Sequence, residues 1–485
     1  MSDTGAPGLE TSGMKLSDLL AVTKGELLGG DALFCSVSTD TRYLQQGDLF
    51  VAIKGPHFDG HDFTDDVAVK GAAAMIVSHP VETELPQLVV ADTRMALGQL
   101  AALWRDRFDI PVIAVTGSNG KTTVKEMLAS ILNRQHSVLV TQGNLNNDIG
   151  VPLTLLRLRA EHDVAVIEMG ASQQGDIEYL SKMVRPNVAL LTNAAAAHLE
   201  GFGDIAGVAR AKGEIFSGLI EDGCAILNAD DSRSGLWRVM AGERRCSYFG
   251  IRHKADVTVT DLQDNGQLGS TFRLKTPQGQ VLVSLPLAGR HNVMNALAAS
   301  AAATAISISL DDICAGLQSM QAVSGRLAIQ RGINNSCLIN DSYNANPSSM
   351  RAALDVLAAS GGEKILVLGD MAELGNSARA LHEQVGRQAC TSGVDRIYAV
   401  GEYAALTAGT FGQGGQHFSN QKELIEALRE HLMLPRSMMM EITVLVKGSR
   451  SMAMEQVVAA LTGDENEVPN ESRDSLSNKQ SGLRD

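Results

Sequence analysis

The sequence predicts an α/β protein of three domains. Short and almost wholly apolar runs recur along the chain, among them VIAVT (112–116) and VAVIEM (164–169), and helical stretches separate them. Such runs are typical of parallel strands that helices cover on both faces. The pattern changes character near 110 and again near 323, so the 485 residues form three units of ordinary domain size.

Changes in composition set the domain boundaries. Pro111 opens the regular alternation of the second unit, and the polar last stretch has almost no large apolar residues, which predicts disorder. We expect a flexible leader at 1–14, an N-terminal domain at 15–109, a central domain at 110–322, a C-terminal domain at 323–463 and a disordered tail at 464–485.

Each domain has its own pattern of elements. In the first, LFVAI (49–53) and AAMIV (73–77) predict buried strands, with helices around them. In the central domain, the parallel-strand pattern gives way over 255–287 to a β-meander with NG and PQG turns, and a helix follows at 291–300. Four further apolar runs predict a second α/β sheet, at 336–341, 364–370, 396–400 and 441–448.

The composition narrows the possible partners and location. The chain has 41 basic and 55 acidic residues, a net charge of −14, which argues against a nucleic-acid or anionic-membrane partner. Its six cysteines are scattered, so we expect reduced, buried thiols in a cytoplasmic protein. The N-terminus lacks the pattern of a signal peptide, and the longest apolar stretch, 296–310, is too short to span a bilayer.

The stretch VIAVTGSNGKTTVKEM (112–127) predicts a phosphate-binding loop. It reads G-x-x-G-K-T-T, and Val115 stands where the common phosphate-loop pattern has its first glycine. An apolar strand precedes the loop and a helix follows, so backbone N–H groups at the helix start would face an anion. Lys121 would neutralise the outer phosphates, and Thr122 or Thr123 could ligate Mg²⁺. The alternative is an ordinary strand-to-helix turn, but the G-K-T-T context favours nucleotide binding.

Three other side chains of the central domain are candidates for chemistry. Glu168 ends a predicted parallel strand, where a carboxylate can hold magnesium, although such a glutamate equally often caps a helix or pairs with a base. His198 follows another strand end and is either a metal ligand or, more often, structural. For Lys212, on a predicted helix, the sequence alone favours a solvated lysine.

Polar turns in the outer domains are further candidates. NDSYNANP places Asp341, Tyr343, Asn344 and Asn346 at a strand-to-helix turn, where Asn346 can cap the helix that Pro347 begins. LGDMAELG and VKGSR follow two other strands, so three polar turns are expected at one sheet edge. In the N-terminal domain, a set of polar residues surrounds a buried strand: Ser38, Asp40, Arg42, Asp59 and His61. Arg42 could grip a phosphate, or this set is a charged turn.

Together these motifs resemble those of the Mur ligases, the ATP-dependent amide-forming ligases of peptidoglycan assembly. The resemblance covers about 15–463 and includes TGSNGKTT, GNLNNDIGVPLTLL, IEMGAS, AHLEGFG, HNVMNALAA, SGR, NDSYNANP, LGDMAELG and VKGSR. It implies a three-domain Mur ligase architecture. A small N-terminal α/β domain would bind the UDP-substrate, a central parallel-sheet P-loop ATPase domain would carry an antiparallel β-meander, and a Rossmann-like α/β domain would end the chain.

The resemblance also implies a role for each candidate residue. The nucleotide would be bound by Thr116, Gly117, Ser118, Asn119, Gly120, Lys121, Thr122 and Thr123, with Asn292 at the adenine, Arg326 at the ribose or phosphates, and Asp341 nearby. Magnesium would be held by Thr122, Glu168, His198 and, if it is carbamylated, Lys212. Lys121, Glu168, His198 and Lys212 would form the catalytic set. The UDP-linked substrate would meet Ser38, Asp40, Arg42, Asn144, Asn146 and Asn147, and the incoming dipeptide would meet Asn344, Asn346, Lys447 and Ser449.

The implied activity joins D-alanyl-D-alanine to UDP-N-acetylmuramoyl-tripeptide through an acyl phosphate, with ATP and two Mg²⁺ ions. We expect a cytoplasmic monomer that acts on these small molecules, and hinge motion near 109–111 and 321–326 that keeps water from the acyl phosphate. One alternative is a folylpolyglutamate-type ligase, which should lack the NDSYNANP turn and the 15–108 unit. Another is a non-enzymatic nucleotide switch, which would leave Glu168 and His198 without a task.

Overall fold

The computed structural model describes residues 13–196, 199–434 and 441–462. The chain divides into two compact units, with Met1–Val323, Asn346–Ala352 and Ala372–Ala378 in the first and Ser324–Ala345, Ala353–Met371 and Arg379–Asp485 in the second. Among the described residues, no helix has the length and apolar character that a membrane crossing requires. Most of the predicted leader, all of the predicted tail, and His198 lie outside the described residues.

The N-terminal part of the first unit has a five-stranded sheet, a separate two-stranded sheet formed by its first and third strands, and helices. Its elements are β1 (Met14–Lys15), β2 (Glu26–Leu28), β3 (Leu33–Phe34), β4 (Val37–Ser38), β5 (Leu49–Val51), β6 (Ala74–Val77), β7 (Gln87–Val89), α1 (Leu20–Thr23), α2 (Thr64–Val69) and α3 (Thr93–Arg105). The order is β2-β7-β6-β5-β4, and all pairs except β2–β7 are parallel. Met14, predicted to belong to the leader, is instead buried and pairs with Phe34.

The central part of the first unit is an open parallel sheet of six strands. Its elements are β8 (Val112–Thr116), β9 (Val138–Val140), β10 (Val164–Glu168), β11 (Val188–Leu191), β12 (Cys224–Asn228), β13 (Arg245–Phe249), α4 (Lys121–Leu132), α5 (Gly150–Leu155), α6 (Asp176–Val184), α7 (Leu199–Phe202), α8 (Ile205–Gly213) and α9 (Ser234–Met240). The order β13-β12-β11-β8-β10-β9 places β8 between β11 and β10. The carboxyl ends of these three strands therefore meet at one edge.

An antiparallel meander and two helices follow in the first unit, and the meander and the first of these helices were predicted. They are β14 (Thr258–Asp264), β15 (Ser270–Thr276), β16 (Gly279–Leu285), α10 (Arg290–Ala305) and α11 (Leu310–Gln318). Helices α10 and α11 pack against α4, and the side chains of the meander join the same apolar core. A second apolar cluster covers the opposite face of the central sheet. Burial on both faces explains why its strands are almost continuously apolar.

The second unit is another mostly parallel sheet of six strands. The C-terminal part of the chain contains β17 (Ala328–Arg331), β18 (Cys337–Asp341), β19 (Glu363–Gly369), β20 (Arg396–Val400), β21 (Gly415–Phe418), β22 (Ile442–Lys447), α12 (Pro347–Ala358), α13 (Ala378–Thr391), α14 (Ala404–Phe411), α15 (Gln421–Met433) and α16 (Glu455–Leu461). The order β17-β18-β22-β19-β20-β21 makes β18, β22 and β19 parallel neighbours. Their three polar turns therefore share one edge, as predicted.

The cysteines form no disulfide, as expected, but the prediction that they are buried is mostly wrong. All six thiols are free. Cys224 is buried inside β12, whereas Cys35 and Cys390 are exposed and the other three are partly exposed. A small apolar thiol tolerates both environments, so residue type alone did not fix its position.

Candidate active site

The loop after β8 has a shape that only glycine allows at two positions. Gly117 has φ +144°, and a Cβ atom there would lie 1.9 Å from Thr192 Oγ1. Gly120 has φ +82°, and a Cβ atom there would lie 2.3 Å from Asn295 Oδ1. Both positions combine left-handed backbone with close approach of another segment, so the spacing of the two glycines is a geometric requirement.

The segment after β11 holds the loop in place. The N–H of Ser118 donates to Asn193 O at 2.9 Å, and the N–H of Asn119 donates to Asn193 Oδ1 at 3.1 Å. Thr192 Oγ1 in turn donates to Asn119 O at 2.6 Å. Sequence reasoning missed Thr192 and Asn193, although a Thr-Asn pair directly after a neighbouring buried strand was a visible signal.

The first turn of α4 is arranged to receive an anion. Its N-cap is Gly120, and no side chain caps the helix. The N–H groups of a first turn and the helix dipole attract phosphate. Lys121 folds back over the loop, with Nζ donating to Gly117 O at 2.8 Å. Thr122 lies in the same turn, whereas Thr116 is buried and donates its hydroxyl proton to Met169 O at 2.8 Å.

Glu168 has the features of a cation ligand. It ends β10 and is 2% exposed. Its Oε1 accepts a hydrogen bond from Asn146 Nδ2 at 2.8 Å, whereas its Oε2 is buried with no hydrogen-bond partner among the described residues. A buried carboxylate oxygen without a partner is costly, and hard cations such as Mg²⁺ prefer such oxygens. The site therefore fits a divalent cation.

The metal cluster predicted around Glu168 is incomplete in the described part of the chain. There, no group of three or more His, Cys, Asp or Glu side chains could hold a metal. The structure gives no position for His198. The predicted roles of Thr122, His198 and Lys212 as metal ligands therefore stay predictions.

Lys212 is buried, so the interpretation of it as a solvated lysine is wrong. It lies on α8 and is 1% exposed, with Nζ 3.5 Å from Ala171 O and 5.4 Å from the ring centre of Phe202. Burial, followed by the charge of Lys121, lowers the pKa of Lys212 to about 7, while more distant carboxylates oppose the shift. A large fraction of this amine is therefore neutral, and hence nucleophilic, near neutral pH.

Asparagines predicted to bind ligands also organise the fold of the first unit. Asn292 is buried, donates to Ala288 O at 2.8 Å and accepts from Asn295 Nδ2 at 3.1 Å. The Oδ1 of Asn147 accepts from Gly150 N at 2.8 Å, at the start of α5. Asn144 is exposed. The structure assigns no ligand to them, so their binding roles stay predictions.

Three candidate residues of the N-terminal sheet, Ser38, Asp40 and Arg42, form hydrogen bonds with one another. Ser38 Oγ donates to Asp40 O at 2.9 Å, and Arg42 Nη2 donates to Asp40 Oδ2 at 2.7 Å. The hydrogen bonds from Arg42 are the main cause that lowers the pKa of Asp40. A phosphate at Arg42 would have to compete with this carboxylate, so its predicted role in binding the UDP portion stays a prediction.

The shared edge of the second unit contains a buried ion pair. Lys447 Nζ lies 2.5 Å from Asp341 Oδ2 and donates to Asn344 O at 2.8 Å. Arg326 stacks on the ring of Tyr343, with its guanidinium carbon 4.0 Å from the ring centre. Burial raises the pKa of Asp341 and lowers that of Lys447, and the attraction between the two opposes both shifts. Lys447 thus organises the turn that was predicted to face the dipeptide.

Two other predicted dipeptide residues have partners of their own. Asn346 Oδ1 accepts from Ser349 N at 2.9 Å, which confirms that Asn346 caps the helix begun by Pro347. Ser449 N donates to Asp370 O at 2.9 Å. Whether either also binds the dipeptide stays a prediction.

A parallel sheet whose carboxyl edge carries a glycine loop of the phosphate-binding type and a buried carboxylate is the architecture of a nucleotide-binding protein. Three family models match the chain: "Mur ligase family, catalytic domain" at residues 34–105, "Mur ligase middle domain" at 115–303, and "Mur ligase, glutamate ligase domain" at 325–450. The chain belongs to the Mur ligase family.

Similar proteins span nearly the whole chain. The UDP-N-acetylmuramoyl-tripeptide–D-alanyl-D-alanine ligase of Escherichia coli (strain K12) is 50% identical over 92% of this chain and 98% of its own length. The ligase of the same name from Bacillus subtilis (strain 168) is 35% identical over 88% of this chain and 92% of its own length.

Solved structures agree with these relatives. MurF from Acinetobacter baumannii superposes with a TM-score of 0.86 at 41% identity, over 91% of this chain and 97% of its own. MurF ligase from Thermotoga maritima in complex with ADP has a TM-score of 0.77 at 27% identity, over 88% of this chain and 96% of its own. Folylpolyglutamate synthase from Mycobacterium tuberculosis has a TM-score of 0.61 at 17% identity, which shows a shared fold alone.

Proposed function

We propose that this protein is an ATP-dependent ligase that joins D-alanyl-D-alanine to UDP-N-acetylmuramoyl-tripeptide, giving the UDP-linked pentapeptide precursor of peptidoglycan. The observation that carries the proposal is the pairing of an uncapped loop helix with a buried, half-satisfied carboxylate at Glu168. The identity to ligases of this name, up to 50% over 92% of the chain, supports the choice of substrates.

Two chemical steps account for the reaction. A carboxylate is a poor electrophile, so a carboxylate oxygen of the tripeptide first attacks the γ-phosphorus of ATP, and ADP leaves. The neutral amine of D-alanyl-D-alanine then attacks the acyl carbon, the C–O bond to phosphate breaks, and the amine releases a proton. The phosphate departs with the oxygen that was originally in the carboxylate. Water must be excluded, because it would hydrolyse the acyl phosphate.

The residues of the loop would orient and neutralise the transferring phosphoryl group. The first-turn N–H groups of α4 would bind phosphate oxygens, and Lys121 would exchange its contact with Gly117 O for the outer phosphates. Thr122 would hold one Mg²⁺, and Glu168 and His198, with Lys212 if it is modified, would hold a second. When bound, Mg²⁺ offsets negative charge on the phosphate oxygens.

Lys212 is proposed to be carbamylated, a modification that turns a cation into an anion able to help hold a metal. Its burial supports this, since the contact given for Nζ among the described residues is a backbone carbonyl, Ala171 O at 3.5 Å, and not a carboxylate. Protein equilibrated with ¹³C-bicarbonate should show a carbamate carbonyl resonance that Lys212→Met lacks. The same resonance in both proteins would contradict the assignment.

The remaining predicted roles complete the proposal. Nucleotide contacts of Asn292, Arg326 and Asp341, and contacts of the substrates with the outer turns, are the roles that the family resemblance implies. We further propose that the enzyme is cytoplasmic and monomeric, as expected of a ligase that uses soluble nucleotide substrates.

Substrate-dependent phosphate release from ATP tests this function. Release should require both UDP-N-acetylmuramoyl-tripeptide and D-alanyl-D-alanine. Tripeptides that end in diaminopimelate and in lysine should be compared, because the sequence does not determine which of the two the enzyme uses. Release that proceeds equally with folate and glutamate would favour the folylpolyglutamate-type alternative. Nucleotide binding with no release under any condition would favour a nucleotide switch.

A further inference from the structure

The hydrogen-bond ladder between β9 and β10 changes at its last step. Thr141 N donates to Val166 O at 3.1 Å, as in a regular parallel pair. In such a ladder, the next N–H, that of Glu168, would donate to the backbone carbonyl of Thr141. Here it donates to the hydroxyl, Thr141 Oγ1, at 2.9 Å. The threonine side chain replaces its own backbone as acceptor, which releases the carbonyl for another partner.

That partner is a buried lysine on the loop helix. Lys125 lies one turn after Lys121, is 1% exposed, and donates from Nζ to Thr141 O at 2.8 Å. Its charge is paired with Glu126 Oε1 at 2.7 Å. Burying a lysine is costly unless its charge is paired and hydrogen-bonded. Lys125 meets both conditions where it joins α4 to the end of β9. The proposed phosphoryl transfer gives Lys125 no other task.

These hydrogen bonds fix the backbone of Glu168, the proposed cation ligand. Thr141, itself 1% exposed, fixes the N–H of Glu168, while Asn146 fixes Oε1 of the same residue. The remaining oxygen, Oε2, is the buried one without a partner. A continuous series of hydrogen bonds, Lys125 to Thr141 to Glu168, thus links the phosphate-loop helix to the carboxylate.

We propose that Thr141, anchored by Lys125, is a positioning residue that sets the placement of Glu168 Oε2 relative to the loop helix and thereby tunes affinity for the divalent cation that accompanies the nucleotide. The inference rests on the proposed role of Glu168 in the function above. Residues that orient a metal ligand typically change metal affinity about 10–100-fold when they are replaced.

Binding of Mn²⁺ to the full-length protein with ADP, followed by calorimetry without turnover, tests the inference. Thr141→Val should lower the affinity for Mn²⁺ about 10–100-fold. Thr141→Ser keeps the hydroxyl and should bind Mn²⁺ with an affinity within about threefold of wild type. Thr407→Val is the matched control, because it removes a fully buried hydroxyl that donates to His382 O at 2.9 Å in the second unit. It should lose comparable stability in urea yet bind Mn²⁺ normally.

Wild-type Mn²⁺ affinity in Thr141→Val, or equal weakening in Thr407→Val, would overturn the inference. If Thr141→Val fails to fold, Lys125→Met carries the same prediction and the same criterion. Glu168→Gln separates the proposed metal role of Glu168 from the proposed positioning role of Thr141. Retained affinity in Glu168→Gln would refute the proposed metal role itself, whereas loss in Glu168→Gln with none in Thr141→Val would refute only the positioning role.

Discussion

Two ionisable side chains of the first unit are buried without the partners that burial ordinarily demands. Glu168 has one carboxylate oxygen with no hydrogen bond among the described residues, and the ammonium of Lys212 has a carbonyl at 3.5 Å as its nearest polar contact. Buried ionisable groups that lack full pairing are candidates for functional sites. Their position near the loop agrees with the proposed binding of a cation and ATP.

Lys121 is the side chain whose loss should affect turnover most directly. Lys121→Ala should reduce substrate-dependent phosphate release by at least about 10²–10³-fold, since it removes the charge that neutralises the outer phosphates. The urea midpoint should change little, because the side chain is only partly buried. Lys422→Ala, at an exposed lysine of α15, is the control and should turn over normally. Full activity in Lys121→Ala would refute the loop's role.

The pKa of Lys212 predicts a pH dependence of stability. The pKa falls from 10.5 to about 7 in the folded protein, so between these values the unfolded chain binds more protons and stability rises with pH. The cost of burying the charge is complete below about pH 7. In CO₂-free buffer, Lys212→Met should therefore gain free energy of unfolding over wild type near pH 6, and the gain should shrink by about pH 9. A gain that is independent of pH would contradict this.

Which single residues the sequence revealed depends on where their partners lie. Lys121 and Glu168 were predicted because motif and strand end mark them locally. Thr141, Lys125 and Thr192 were missed because their partners belong to other strands. The burial of Lys212 was missed for the same reason: α8 is helical in either environment, and only packing decides which side chains it buries.

At the scale of elements, the loop works because two strand ends meet it. The turn after β8 exchanges hydrogen bonds with the segment after β11, and the adjacent end of β10 presents Glu168. The parallel order of these strands fixes the geometry, since their carboxyl ends share one edge. A shortened loop of this kind is therefore a product of its neighbours as much as of its own glycines.

The glycine at 117 provides a test of this arrangement. Gly117→Ala should lower the free energy of unfolding by about 2–5 kcal/mol, because it combines unfavourable backbone with a clash against Thr192. Gly235→Ala is the control, since no atom lies within 4 Å of a Cβ atom there and α9 favours alanine. That variant should be neutral or slightly stabilised. Equal urea midpoints for the two variants would contradict the account.

Elements were predictable in proportion to their length and apolar continuity. The fully buried strands β8 and β10 were placed to within a residue. Several strands of two or three residues, among them β1, β2 and β9, were missed, because so few residues show no periodicity. The edge strands β13 and β21 alternate weakly and were also missed, since one side of each lacks a neighbouring strand.

At the scale of the whole molecule, the combination of sites gives the function that no single motif gives. A phosphate loop indicates a nucleotide, and the family indicates an amide ligase. Reactions through an acyl phosphate need water excluded, so we expect ligand binding to change the arrangement of domains around 109–111 and 321–326. Small-angle scattering should show a smaller radius of gyration with an ATP analogue and the UDP-linked substrate. Identical curves with and without ligands would count against closure.

The fate of the carboxylate oxygen tests the central claim most directly. The substrate is UDP-N-acetylmuramoyl-tripeptide labelled with ¹⁸O in both oxygens of the reacting carboxylate. It is incubated with ATP, D-alanyl-D-alanine and the protein, and the masses of the products are measured by mass spectrometry. The account predicts a UDP-linked pentapeptide that has lost one ¹⁸O and inorganic phosphate that has gained it. Absence of the pentapeptide, or phosphate without label, would contradict the proposed reaction.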